Sequence, residues 1–101
     1  MEKISTNQGK YLKLENFQKV NYSEALDLAK IEGDYSLPSS YFLKYLSKNQ
    51  NLKAMFPEGW YWSNEEESDE NVLCVNIGTG EMKKMSKAEK AYFLPILLEE
   101  K

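Results

Sequence analysis

The sequence predicts an α+β domain, with helices segregated from a mainly antiparallel sheet, and three observations carry that expectation. A capped amphipathic helix pattern opens at residue 21, and a second follows at residue 39. Trp60-Tyr61-Trp62-Ser63 is strand-like by composition. Residues 71–77 alternate so that Leu73, Val75 and Ile77 fall on one face and Val72 and Cys74 on the other, which suits a mostly buried strand.

Residues 1–9 are polar and read as a loose leader before a single domain over residues 10–101. In residues 10–17, Tyr11, Leu12 and Leu14 lie between charged residues and predict a short strand. Asn21 or Ser23 is placed to cap a helix, and Glu24 stands three residues after Asn21, the spacing of a capping box. Tyr22, Ala25, Leu26 and Ala29 then follow the i, i+3, i+4, i+7 pattern, and Gly33 is placed as the stop. Pro38 disfavours a helical Leu37, which leaves Ser39 as the N-cap of a second helix over residues 40–48. Phe42, Leu43, Tyr45 and Leu46 give that helix a broad apolar face, and Asn49-Gln50-Asn51 ends it.

Leu52, Met55, Phe56 and Pro57 form an apolar link, with a turn at Glu58-Gly59 before the aromatic strand. Five acids within six residues, Glu65, Glu66, Glu67, Asp69 and Glu70, read as a loop between that strand and the next. Gly78-Thr79-Gly80 supplies a further turn. Residues 91–98 are compatible with a strand or a helix, and Pro95 in their middle favours an edge or terminal strand.

Composition narrows the chemistry. The 101 residues are 42% hydrophobic and 13% aromatic, enough for one packed core. All 13 basic residues are lysine, against 16 acids, for a net charge of −3. The absence of histidine removes Ser-His-Asp and Cys-His catalysis and histidine metal ligands. The absence of arginine removes the bidentate fork for phosphate, carboxylate or guanine. Lys83, Lys84, Lys87 and Lys90 read as a solvated face, and no nucleic-acid partner is expected. Cys74 is single and sits in an apolar run, so it reads as a buried structural thiol. Residues 1–9 lack an apolar signal core, and the apolar stretch at 93–98 is too short to span a bilayer. The expectation is a soluble protein of the cytoplasm or of a virion, without a membrane partner.

Tyr22-Ser23-Glu24-Ala25-Leu26 opening a helix, followed by Gly33-Asp34-Tyr35-Ser36-Leu37-Pro38, resembles bacterial small domains related to the C-terminal domain of collagen-like adhesins. Tyr61-Trp62-Ser63, the 72–80 strand and turn, and a closing strand at 92–96 follow in the same order, so that the resemblance covers roughly residues 10–98. It implies a C-type lectin-like fold, with two helices beside a small twisted sheet and residues 10–17 paired with 92–98. Two features depart from the family. Its aromatic-arginine pair before Leu-Pro is Tyr35-Ser36 here, and its acid in the first turn of the second helix is Phe42. The contacts of that arginine are therefore missing, which separates this chain from the family's ligand chemistry more than from its fold.

Candidate site residues cluster between Glu58 and Glu70. Alternation sends Trp60 and Trp62 to one face and Tyr61 to the other. Trp62 is expected in the core, and Trp60, next to the Gly59 turn, is the expected exposed anchor, able to stack on a sugar or fill a protein pocket. Glu65, Glu66, Glu67, Asp69 and Glu70 form an electrostatic rim beside Trp60 and Tyr61. The same acids invite a calcium reading, but the run has no EF-hand spacing and no glycine to fold it around an ion. Seven tyrosines suit either core packing or an adaptable surface. Formylglycine-generating enzymes share a distantly related fold but depend on paired cysteines, and Cys74 is alone. The expectation is a non-catalytic binding module without cofactor or metal that recognises a protein partner, as a phage or mobile-element modulator of a host protein would. A carbohydrate-binding or adhesin-type domain is the alternative, and a closed dimer through an edge strand is open.

Overall fold

A computed structural model describes residues 2–6, 9–13, 18–31 and 36–97. The architecture is α+β. Among the described residues three helices, α1 (Tyr22–Ile31), α2 (Ser40–Lys48) and α3 (Gln50–Lys53), accompany six strands. These are β1 (Glu2–Thr6), β2 (Gly9–Lys13), β3 (Trp60–Glu66), β4 (Asn71–Asn76), β5 (Met82–Ser86) and β6 (Ile96–Leu97). They form two antiparallel sheets, ordered β1-β2-β6 and β3-β4-β5.

Both long helices start where side-chain chemistry directs. At α1, Glu24 N donates to Asn21 Oδ1 at 2.9 Å and Asn21 N donates back to the Glu24 carboxylate at 3.3 Å, a reciprocal capping box. At α2, Phe42 N donates to Ser39 Oγ at 3.1 Å. Asn49 closes α2, its N–H donating to Leu46 O, and its side chain accepts from Leu52 N to open α3. A short helix therefore stands where an apolar link was expected.

The β3-β4-β5 sheet divides the interior into two cores. On one face α1 lays Tyr22, Ala25 and Ala29 against Trp62, Val72, Cys74 and Met85. On the other, α2 lays Phe42, Leu43 and Leu46 against Tyr61, Val75 and Ile77. The alternation of residues 72–77 between apolar faces has this cause, although Leu73 is only half-buried. Trp62 is the pin of the first core: it is fully buried, donates Nε1 to Val20 O at 2.8 Å, and meets Tyr22 edge-on at 5.4 Å.

The terminal segments meet. Tyr11 pairs with Ile96 and Lys10 with Leu97, and Ser36 exchanges two backbone bonds with Ile96. Residues 91–92 reach the sheet: Ala91 pairs with Val20, and Tyr92 bridges to Trp60 and Trp62 along the outer edge of β3. Pro95 sits between these bridges and β6, where no ladder bond is asked of it. Gly59, just before β3, has φ +145°, and a Cβ there would stand 3.2 Å from the Tyr92 ring.

Three expectations are corrected. Glu2–Thr6, read as part of a leader, is a strand paired with β2 from Glu2↔Lys13 to Thr6↔Gly9; its lone apolar residue, Ile4, hid the strand from a hydrophobicity reading. The acid run is not all loop, because β3 continues through Glu65 and Glu66. Met82–Ser86, to which no element was assigned, is an edge strand with one buried residue, Met85, and it carries Lys83 and Lys84 exposed, as expected of a solvated lysine face. Residues 14–17, the Gly33 stop, Tyr35 and Leu98 lie outside the described residues.

Candidate binding surface

The site residues expected between Glu58 and Glu70 fall into two groups at opposite ends of β3. Trp60 is opposite Asn76, close to the turn before β5, whereas Glu66 is opposite Val72 at the far hairpin. Six residues of extended chain separate them by about 20 Å. Trp60 and the acids therefore do not form one patch, and the aromatic anchor with an acidic rim expected from their closeness in sequence is split by the strand between them.

Trp60 is half-buried against the α1-side core, and Lys83 Nζ lies 4.4 Å above its ring. One face of the indole is thus covered from within the fold. Tyr61 is removed from the contact surface altogether. It is fully buried on the α2 side, its hydroxyl donates to Pro57 O at 2.8 Å, and its ring meets Tyr92 at 5.3 Å. Burial pushes the Tyr61 hydroxyl well above the ordinary phenol range, with Tyr92 adding to the effect.

A register shift in β3 between Trp62 and Glu66 sets the direction of the acids. β3 advances from Trp62 to Glu66 while β4 moves only from Cys74 to Val72, a bulge that re-aims side chains. Ser63, fully buried within it, donates Oγ to Leu73 O at 2.6 Å and accepts from Glu65 N at 3.1 Å. Asn64 N donates to Pro38 O, which ties the bulge to the chain entering α2. The Glu65 carboxylate then accepts from Ser40 N at 2.5 Å, at the start of α2, where an anion meets the positive end of the helix. Glu65 is a helix-capping residue here and not part of an open rim. Glu65→Ala is expected to lower stability by about 1 kcal/mol, while Glu65→Gln, which keeps an acceptor, loses less; urea melts of the two variants check it.

Glu66, Glu67, Asp69 and Glu70 remain exposed. Glu66 pairs with Lys87, whose ammonium also lies 5.6 Å from the Tyr22 ring. Among the described residues Glu67, Asp69 and Glu70 have no lysine within ion-pair distance. Their backbone is fixed nonetheless. Glu67 N and Ser68 N both donate to Asn71 O, the Ser68 hydroxyl accepts from Glu70 N and Asn71 N, and Lys87 N donates to Glu70 O at 2.8 Å. The β3-β4 hairpin end is thus a braced turn presenting three unpaired carboxylates. Among the described residues no group of three or more acids, cysteines or histidines converges as metal ligands.

Lys83 and Lys87 are the contributors the sequence reading missed as individuals. Lys83 in β5 and Lys87 just past its end, four residues apart, both lie on the α1-side face, one over Trp60 and one beside Glu66. The period-2 series Lys83, Met85, Lys87 was the available signal. Elsewhere, Tyr41, Lys44, Tyr45 and Lys48 line a shallow groove of about 140 Å³ on the outer face of α2. Cys74 is fully buried opposite Lys83, and burial pushes its thiol up to about 12. No helix among the described residues is long and apolar enough to cross a membrane. No protein-family model matches the chain, and no curated protein matches it.

Proposed function

We propose that this chain is a non-catalytic binding module that engages a protein partner through the braced end of the β3-β4 hairpin. The observation that carries the reading is the set Glu67, Asp69 and Glu70, exposed, without ion-pair partners among the described residues, and mounted on a backbone held by Ser68, Asn71 and Lys87. A fixed cluster of carboxylates loses little conformational freedom on docking and steers a basic groove toward it at long range. Glu66, already paired with Lys87, contributes less to that field.

The C-type lectin-like architecture is part of the proposal. It is supported by the pairing of β2 with β6, by α1 and α2 on opposite faces of the β3-β4-β5 sheet, and by residues 91–92 bridging to β3. In such a frame hairpin ends vary in chemistry while the two cores hold them in place.

The test is affinity capture from the organism that carries the gene, with the native chain and with Glu67→Lys/Asp69→Lys/Glu70→Lys. The native chain is expected to retain one stoichiometric protein. The triple variant, whose changes touch no buried group, is expected to melt as the native chain does and to bind that protein at least about tenfold more weakly. Undiminished capture by the triple variant overturns the reading. Glycan-array binding that is abolished by Trp60→Ala and untouched by the triple variant would replace it with the carbohydrate-binding alternative.

A further inference from the structure

We infer that the outer edge of β5 is a second docking site, which takes an extended acidic segment of a partner protein as an added strand. The edge is open by the phase of its hydrogen bonds. Asn76 N donates to Glu81 O at one end of the β4-β5 ladder and Lys87 N donates to Glu70 O at the other. With the register Cys74↔Lys83 and Val72↔Met85 between them, Lys83 and Met85 turn their backbone groups toward β4, in phase with Glu81 O and Lys87 N. Met82, Lys84 and Ser86 turn theirs away. Glu89 closes the end of that row: Ser86 N donates to the Glu89 carboxylate at 3.1 Å, and Glu89 N donates to Ser86 O at 2.9 Å. The N–H and C=O groups of Met82 and Lys84 have no partner among the described residues. The opposite edge of the same sheet is closed, because Tyr92 bonds to Trp60 and Trp62 and Pro38 O accepts from Asn64 N.

Charge selects the occupant. Lys83 and Lys84 are both exposed, and neither has an acid within ion-pair distance among the described residues. The Lys83 ammonium itself is held 4.4 Å over the Trp60 ring, so it is already placed. Lysines on an edge strand repel a second copy of the same edge. The same two charges attract a strand carrying acids opposite Lys83 and Lys84, one on each face of the sheet. Met82, 41% exposed on the α2 side with Lys84, offers an apolar contact to the neighbouring position of that strand. The mode is strand addition to a free edge, in which main-chain bonds bind and alternate side chains discriminate. This site is separate from the β3-β4 hairpin end, and neither proposal depends on the other.

The experiment uses the full chain and two acetylated, amidated hexapeptides, Thr-Val-Glu-Glu-Val-Thr and Thr-Val-Lys-Lys-Val-Thr, whose apolar-charged-charged-apolar order reads alike in both directions. Amide hydrogen exchange by NMR is the readout. The Glu-Glu peptide is expected to slow exchange at Met82 and Lys84 by at least about tenfold, and the Lys-Lys peptide to leave both amides unchanged. Lys84→Pro removes an N–H that the β4 ladder does not use, so the variant is expected to keep its fold and lose the peptide. Lys83→Glu/Lys84→Glu is expected to reverse the preference and is a second route should the proline variant fold poorly. Equal effects of the two peptides, no protection at either amide at millimolar peptide, or a free protein that is already dimeric with both amides protected, would each overturn the inference.

Discussion

Trp62→Ala is expected to cost about 3–5 kcal/mol of stability, the largest effect of any single substitution considered for this chain. Trp62 is fully buried and joins elements far apart in sequence. Its ring packs with Tyr22 from α1, Val72 and Cys74 from β4, and Met85 from β5, while its Nε1–H holds Val20 O. Truncation leaves a cavity between helix and sheet that cannot collapse, because β3 is tied to β4 on one side and to Tyr92 on the other. A domain of this size has roughly 5–15 kcal/mol in total, so the variant loses a large share of it. Trp62→Phe separates the terms, since it refills much of the volume and forfeits the hydrogen bond. Val20 O keeps a bond from Ala91 N at 3.0 Å, so the phenylalanine variant is expected to recover at least half of the loss. Urea melts of the three proteins measure this, and a native-like midpoint for Trp62→Ala would show that the α1-side core does not depend on the indole.

The second large effect is alkaline. Cys74 has its thiol raised by burial from about 9 to about 12, and burial also raises the hydroxyls of Tyr61 and Tyr22 above their ordinary value. For each of these groups the neutral form is favoured in the folded state. Below the unfolded pKa both states hold the proton and the contribution is fully present. Above it the unfolded chain releases a proton that the folded chain keeps, and stability falls with rising pH. Each unit costs about 1.4 kcal/mol per group, so from pH 9 to pH 12 Cys74 alone removes on the order of 4 kcal/mol. Urea midpoints should stay level through neutral pH and decline from about pH 9. With Cys74→Ala the decline is expected to start about one unit later, where the tyrosines begin to act. A profile indifferent to Cys74→Ala would contradict the burial of the thiol. At neutral pH the same burial predicts that a thiol reagent labels Cys74 only as fast as the chain opens.

The legible parts of the fold are those with local chemistry. Asn21-Glu24 and Ser39 announced both long helices because a capping side chain bonds to a backbone group three residues away. Residues 71–77 announced a doubly buried strand because apolar residues occupied both parities, and the two cores on either side of β3-β4-β5 are the reason. Strands carried by the ladder were hidden. Glu2–Thr6 and Met82–Ser86 present few apolar residues, and their regularity comes from hydrogen bonds to β2 and β4. The candidate site was half legible. Exposure of Glu66, Glu67, Asp69 and Glu70 follows from composition, but the separation of Trp60 from them is a property of an extended chain that a count of nearby residues does not display. Tyr61 is a core residue because α2 covers the face of β3 opposite Trp62, and Glu65 caps α2 through the bulge after Trp62 and a contact 25 residues away in sequence; no local pattern encodes either.

The central claim is that the hairpin end between β3 and β4 meets a protein. A photoreactive residue placed at position 69, and separately at the exposed positions 31 and 41, tests it by reporting which part of the surface touches the partner. Irradiation in the presence of the captured protein is expected to give a covalent adduct from position 69 and none from positions 31 or 41. Excess native chain should abolish that adduct, and excess Glu67→Lys/Asp69→Lys/Glu70→Lys should not. An adduct formed from position 31 or 41 and absent at 69 would contradict the account.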